Sequence, residues 1–322
     1  MPLALIAPIA HHTLMDESSP IIWAVADTRR GVENQALGLA EAIADQTGGR
    51  VARATLRKDG YAALPDSEAP DIWIGCGRPA IALARRQRRA FANSLFVYVQ
   101  DPRGSYDVFD LVVAPAHDNL RRRNAVSIIG SPHRVSRDRL DADIAKFSDH
   151  LERYSGPRAA VMIGGPSKRF KFTAETGKYL ETRISGLLDN DLSVMVSVSR
   201  RTPDRVRQQL AQRYADHPRV WWFDGEGDNP YFAFLGAADW IFVTEDSTNM
   251  LVEAAATGTP VYSLALPGSA GKFAQLHAAL EGHGALRPYL GRHDTWTYEP
   301  LNETRLAAEA VITRWRNTSP PS

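Results

Sequence analysis

Cysteine is almost missing: among 322 residues only Cys76 carries a thiol. No disulfide framework can form within the chain, and a reducing, cytoplasmic setting is expected. No run approaches the roughly 20 apolar residues that a membrane-spanning helix needs. Net charge is also nearly absent, with 38 basic residues against 37 acidic ones, which argues against a nucleic-acid coat. Residues 1–20 hold a short apolar run, Leu3 to Ala10, but neither a basic start nor a clear cleavage site. They read as a loose tail and not as a signal peptide. Nine histidines are scattered without an acidic partner at metalloenzyme spacing, so no metal site is expected.

What is present is a regular alternation of short apolar runs and amphipathic stretches, in a chain long enough for two domains. Ile21 to Ala26, Val51 to Leu56, Asp71 to Gly75, Ser94 to Val99, Leu111 to Ala114 and Ala125 to Ile129 read as strands. Arg137 to Tyr154 reads as one helix with Leu140, Ile144, Phe147 and Leu151 on a stripe. Ser155, Gly156 and Pro157 make the best linker. The alternation then restarts, with strands at Ala159 to Ile163, Leu192 to Val198 and Val220 to Phe223. Short connections between strand and helix point to parallel sheets covered by helices: an α/β fold of two Rossmann-like halves.

The densest pattern is Trp240 to Leu264, WIFVTEDSTNMLVEAAATGTPVYSL. Trp240 to Val243 has the aromatic and β-branched content of a strand buried on both faces. Glu245, Asp246, Ser247 and Thr248 offer capping oxygens ahead of Met250, Leu251, Ala254 and Ala255, which predicts a helix start. Asp246, Asn249 and Glu253 stand three and four residues apart. They therefore share one face, beginning where free N–H groups favour an anion. A diphosphate at the helix start with a ribose beside Glu253 fits that spacing; ordinary caps and a solvated carboxylate fit it too.

Three loops follow strands. Asp27, Thr28, Arg29, Arg30, Gly31, Val32, Glu33, Asn34 and Gln35 bring carboxylates, guanidiniums and a glycine together, as an anion clamp or an acid/base site would require. Gly164, Gly165, Pro166, Ser167, Lys168 and Arg169 offer backbone amides and cations to a phosphate, although the spacing matches neither the dinucleotide nor the P-loop motif. Ser199, Arg200, Arg201, Thr202 and Pro203 set a basic pair before a helix. Each also reads as a turn with solvated charges.

Asp27-Thr28-Arg29-Arg30-Gly31 with Asn34-Gln35, Ile163-Gly164-Gly165, Ser199 to Pro203, Asp224-Gly225, Asn229-Pro230-Tyr231, and Thr244 to Ser247 continuing through Glu253 to Gly258 resemble the bacterial relatives of the ELM-type mitochondrial fission protein family. The resemblance runs from about residue 21 to 315. It implies a GT-B fold, two Rossmann-like domains facing across a cleft, similar to glycosyltransferases acting on envelope lipid and saccharide acceptors. It divides the chain into a tail (1–20), an acceptor domain (21–156), a donor domain (157–300), and a C-terminal helix and tail (301–322) packing back on the first domain.

Carried over by motif, Glu253 matches the acidic residue that holds the ribose hydroxyls. Ser247, Thr248 and Asn249 match the helix start facing the diphosphate, and Gly164, Gly165 and Ser167 match the glycine-rich loop opposite. The segment Asp224, Gly225 to Asn229 lies where the base is gripped. With Lys168, Arg169, Ser199, Arg200, Glu245 and Asp246 these form the expected donor set; Arg29, Arg30, Gly31, Asn34 and Gln35 form the acceptor set. Asp27 is the candidate general base and Glu33 the second choice; no histidine of the peptidoglycan branch stands in that loop. Transferases of this fold generally need no metal ion for the diphosphate, so the nucleotide-sugar is a co-substrate and no cofactor is expected.

Arg85, Arg86, Arg88 and Arg89, with Arg121, Arg122 and Arg123, are candidates for holding an anionic membrane surface near a lipid acceptor, at about 1 kcal/mol per charge. A solvated face competes with that reading. The expectation is a nucleotide-sugar-dependent transferase, peripheral on the inner membrane face and binding no nucleic acid. A nucleotide-sugar epimerase of the same fold and a non-catalytic membrane adaptor are the alternatives.

Overall fold

The computed structural model describes residues 19–57, 62–63, 68–223 and 225–318. Asp224, most of the expected tail and the last four residues lie outside them. The first half comprises β1 (Ile21–Asp27), α1 (Arg30–Thr47), β2 (Arg50–Leu56), β3 (Ala62–Ala63), β4 (Ile72–Cys76), α2 (Arg78–Gln87), β5 (Leu95–Val99), β6 (Leu111–Pro115) and β7 (Ala125–Ile128). These strands form one sheet in the order β3-β2-β1-β4-β5-β6-β7, parallel apart from the short β3 edge.

The second half contains α3 (Arg137–Lys146), α4 (Ser148–Leu151), β8 (Arg158–Ile163), α5 (Ala174–Asp189), β9 (Ser193–Val198), α6 (Asp204–Tyr214), β10 (Val220–Phe223), α7 (Tyr231–Ala237), β11 (Trp240–Thr244), α8 (Thr248–Ala255), β12 (Val261–Leu264), α9 (Ala274–Gly282) and β13 (Leu286–Pro288). Its sheet is fully parallel and ordered β10-β9-β8-β11-β12-β13, the doubly wound arrangement in which strand order reverses beside the first strand. The last helix, α10 (Glu303–Thr318), returns to the first half.

Continuous apolar runs become strands because helices cover both sheet faces. Every residue of β4 and β5 is buried, and each fully buried large aliphatic side chain contributes about 1.5–3 kcal/mol. One face of the first sheet packs on Leu39, Ala40 and Ile43 of α1 together with Ala307, Ala308 and Val311 of α10. On the other face Trp73 stacks on Phe96 at 5.1 Å, and its indole N–H donates to Gln87 at 2.9 Å. Leu140 of α3 and Leu151 of α4, within the stretch expected to belong to the first domain (21–156), lie in the core of the second sheet beside Phe234 of α7.

Two helices differ from the sequence reading. The single helix expected over Arg137 to Tyr154 breaks at Phe147 (φ −108°, ψ 18°), where the ring turns to meet Trp221 at 5.8 Å. The helix expected from the Glu245–Thr248 caps starts at Thr248, and Ser247 makes no side-chain cap hydrogen bond. Asp246 therefore precedes the helix and does not share its face with Asn249 and Glu253.

Candidate functional site

Each sheet has a point where neighbouring strands send their connections in opposite directions, and crevices open there beyond the carboxyl ends. In the first half it lies between β1 and β4, at Asp27 and Gly77. In the second it lies between β8 and β11, at Gly164 and Glu245.

The second-half point is sealed by its own side chains. Buried Asp246 accepts the Gly165 N–H at 2.9 Å, the Thr244 hydroxyl at 2.7 Å and the Arg201 guanidinium at 3.3 Å. The Gly164 N–H donates to Thr244 Oγ1 at 2.8 Å. A Cβ on Gly164 would stand 2.3 Å from Asp246, so glycine is required for this approach. Burial raises the Asp246 pKa; the Gly165, Thr244 and Arg201 bonds oppose it. Glu245 accepts the Leu266 N–H at 2.6 Å. Both glycine amides expected to cradle phosphate are therefore occupied, and Asp246 is a latch between loops.

Ser167 is likewise engaged, its hydroxyl accepting the Arg169 and Phe170 amides at 3.1 and 3.2 Å. Lys168 and Arg200 are exposed. Ser199 Oγ accepts the Arg201 N–H at 3.1 Å, so Arg201 joins the latch while Arg200 stays outside. Arg169 stacks over Phe273 at 5.6 Å. Gly225 turns with φ 102°, and Asn229 accepts the Tyr231 N–H at 3.1 Å, capping α7.

One turn into α8, Glu253 faces the first half. It is 6% exposed and accepts the Tyr231 hydroxyl at 2.5 Å. Burial pushes its carboxyl up to about 7, against the lowering effect of the Tyr231 bond. Gly31 and Gln35 of α1, Pro132, His133 and Asn249 close around it in a narrow crevice. His133 is buried and neutral, its pKa lowered to about 4 by desolvation. Its Nδ1 accepts the Val135 N–H at 3.2 Å, which leaves the proton on Nε2, a buried atom without a hydrogen-bond partner.

A polar relay joins the halves: the Gln100 amide donates to Gln35 at 2.8 Å, and the Gln35 amide donates to Asn249 at 3.2 Å. A Cβ on Gly31 would come 2.9 Å from the Asn249 amide, so the first turn of α1 rides against the start of α8. Asp27 accepts both Nε (3.0 Å) and Nη2 (2.6 Å) of Arg29. Burial alone would raise its pKa, but the Arg29 bonds and charge prevail and hold it below the ordinary carboxylate value. Glu33 pairs with Arg53 at 2.6 Å and lines neither the crevice nor the pocket described next. Arg30 is exposed, and Asn34 borders the crevice.

Beside Asp27 a pocket of about 780 Å³ opens at the ends of β1, β4 and β5, lined by Arg29, Arg78, Arg85, Arg103, Tyr98 and Gln100 among others. The expected membrane cluster is thus divided. Arg85 enters the pocket and donates to Ser105 at 2.7 Å; Arg88 is held by Asp110 at 2.5 Å; Arg86 and Arg89 stay exposed. Arg122 lies over the Tyr106 ring at 4.4 Å, while Arg121 and Arg123 are exposed. The sequence reading gave no site role to His133, Arg78, Arg103 or Tyr231, and it read Arg201 as half of a basic pair, not as a partner of Asp246. Pro102-Arg103-Gly104 directly after a strand, and Ser131-Pro132-His133 between the halves, were the available signals.

Among the described residues no helix is long and apolar enough to cross a membrane, and no cluster of three or more metal-ligating side chains occurs. The chain spans 92% of itself and 99% of a UDP-GlcNAc 2-epimerase from Methanocaldococcus jannaschii, solved in complex with UDP-GlcNAc and UDP, at TM-score 0.56 and 11% identity. A glycotransferase of kitacinnamycin aligns at TM-score 0.50 and 14% identity, with 94% of each chain covered. At these identities the likeness concerns the fold, which is GT-B. An uncharacterized protein of Rickettsia prowazekii (strain Madrid E) is 26% identical over 90% of this chain and 97% of its own length. Mitochondrial fission protein ELM1 of Arabidopsis thaliana is 29% identical, covering 85% of this chain and 69% of the plant protein. The model of the mitochondrial fission ELM1 family matches residues 30–315, and the chain belongs to that family.

Proposed function

We propose that this protein is a metal-independent glycosyltransferase that takes a sugar from a nucleoside-diphosphate donor held against α8 and passes it to an acceptor held by the first half. The observation that carries the reading is Glu253, a buried carboxylate at the crevice between the halves with its pKa pushed up to about 7. A carboxylate withdrawn from water without a cationic partner is costly, and structural ion pairing does not explain it. Two ribose hydroxyls would satisfy its oxygens. UDP and UDP-GlcNAc in the solved epimerase of the same fold support a donor of that class.

In this reading the donor enters when the halves part, breaking the Gln35–Asn249 bond; the crevice is otherwise too narrow for a nucleotide. Lys168 and Arg200, both exposed, are free to approach the diphosphate as negative charge builds on the leaving group. Asp27 is ionised at neutral pH, and as the base for the acceptor hydroxyl it takes the proton as it leaves Arg29, whose bonds hold its pKa down. Calorimetry with UDP and a panel of nucleoside diphosphates tests the donor site. Binding should weaken about tenfold or more in Glu253→Gln, and no binding of any nucleotide removes the enzyme reading. Asp27→Asn should abolish turnover and leave donor affinity nearly intact. Donor consumed without any acceptor would select the epimerase instead.

A second reading, a non-catalytic adaptor, is favoured by the closure itself: Glu253 is already partnered by Tyr231 and walled in by α1. A wild-type protein indifferent to every nucleotide would select it.

A further inference from the structure

The pocket at the first switch point has a composition that its own scaffold does not use. Four guanidiniums line it, from Arg29, Arg78, Arg85 and Arg103, against the single carboxylate of Asp101. Arg29 is committed to Asp27, and Asp101 is committed to its loop, accepting the Arg103 N–H and the Tyr106 hydroxyl at 2.8 Å each. Arg78 and Arg103 make no ion pair among the described residues, and Arg85 meets only a neutral hydroxyl. Like charges gathered in a concave site repel one another, so a fold gains from an anion there.

The loop that carries Arg103 is held in an unusual shape. Gln100 at φ 88° and Arg103 at φ 47° are both non-glycine residues in the left-handed region, which persists only where the surroundings enforce it. Enforcement is visible: the Gln100 side chain is tied to Gln35 at 2.8 Å and Asp101 grips the turn. The pocket's volume of about 780 Å³ is that of a small-molecule site. Val32, Ile81 and Ala82 give it an apolar wall.

We infer that this pocket captures the phosphate group of a phosphorylated acceptor through Arg78, Arg85 and Arg103. Guanidiniums bind phosphate oxygens in pairs, and a dianion offers oxygens to more than one fork. The apolar wall would take the part of the acceptor next to its phosphate. A soluble phosphate ester and a lipid-borne phosphate present the same group. The inference deepens the transferase reading and rests on it only for the assignment of the bound molecule as acceptor.

The test is calorimetry of the full chain with inorganic pyrophosphate, and sedimentation with phosphatidylcholine vesicles with and without phosphatidic acid. Each is run on the wild type, the double variant Arg78→Gln/Arg103→Gln, and Arg292→Gln, an exposed arginine of the second half outside the pocket and outside the expected membrane cluster. Binding of at least one probe should fall about tenfold or more in the double variant and stay unchanged in Arg292→Gln. Pyrophosphate as the responding probe points to a soluble phosphate, and the phosphatidic acid vesicle to a lipid. No binding of either probe, equal binding in the double variant, or equal weakening by Arg292→Gln overturns the inference. The panel of nucleoside diphosphates titrated into the same three proteins keeps the two readings apart: a wild type that binds no nucleotide but still binds pyrophosphate or the anionic vesicle refutes the transferase and leaves phosphate capture standing.

Discussion

The two switch points are built from the same topology and treated in opposite ways. Between β8 and β11 the polar groups satisfy one another: Asp246 takes the Gly165 amide, the Thr244 hydroxyl and Arg201. Between β1 and β4 the Asp27–Arg29 pair closes on itself, and Arg78 and Arg103 are left facing an open pocket. A fold that can seal this position in one half and leaves it open in the other has kept the open one for a ligand. The second half keeps a different group, Glu253, which is hidden in the crevice with the Tyr231 hydroxyl as its partner and no cation paired with it among the described residues.

Breaking the sealed point should have the largest effect. Asp246→Ala removes one acceptor and strands three donors, two of them a buried backbone amide and a buried hydroxyl, and should cost about 3 kcal/mol in denaturant unfolding. Arg78→Gln/Arg103→Gln at the open point should leave stability unchanged or slightly raised, as expected where charge is held for binding. Equal losses at both points would erase the contrast.

The next effect belongs to the crevice and depends on pH. Burial raises Glu253 from 4.5 to about 7, so the folded state binds its proton more readily than the unfolded chain. Stability from this group is fully present below pH 4.5 and is lost as pH rises through 7, on the order of 3 kcal/mol. His133 runs the other way, lowered from 6.5 to about 4: its contribution is present above pH 6.5 and lost as pH falls through 4. The two offset one another in the parent. Glu253→Gln should therefore be more stable than the parent at pH 8, by thermal melting, and should lose stability more steeply on acidification. Parallel pH profiles for the two proteins would place Glu253 in water.

Much of this was legible in the sequence, for a physical reason. Runs such as Leu95–Val99 and Trp240–Val243 are apolar at every position, because parallel strands are covered on both sides, so these strands could be read to within one residue: the first is expected one residue early, from Ser94, and the second stops short of Thr244. β13 was not, since only Leu286 of its three residues is buried and no pattern survives. Glu253 could be located by helical spacing, but its burial depends on Tyr231, 22 residues earlier in the chain, and on α1 of the other half. Asp246 looked like a helix cap because latch and cap use the same residue type. Arg78 and Arg103 line one pocket because β4 and β5 are neighbours in the sheet, which spacing along the chain does not encode.

A smaller effect would sharpen how the halves meet. Gly130 has φ 77°, and a Cβ there would stand 2.2 Å from Val252 of α8. Gly130→Ala should cost about 2 kcal/mol from combined overpacking and backbone strain, and should spread the halves, seen as an increased radius of gyration in solution scattering. Adding Val252→Ala relieves the overlap and should restore compactness while leaving about 1 kcal/mol of backbone cost. Unchanged scattering in the single variant would mean that the contact does not set the closure.

The smallest effect concerns Glu33, which stands in the first turn of α1, close to Asp27 in sequence but not in surroundings. Its partner Arg53 has a side chain 56% exposed, and the pair spans 2.6 Å. Water competes for both ends, so the coupling in a double-mutant cycle of Glu33→Gln and Arg53→Gln should be below about 1 kcal/mol and should shrink as salt is added. The first turn of α1 adds a few tenths of a kcal/mol in favour of a carboxylate at Glu33, and this part survives in Arg53→Gln. Turnover in Glu33→Gln should match the wild type under the assignment of Asp27 as base. A coupling that resists salt, or activity lost at Glu33 and kept in Asp27→Asn, would move the base from the pocket edge to the outer side of α1.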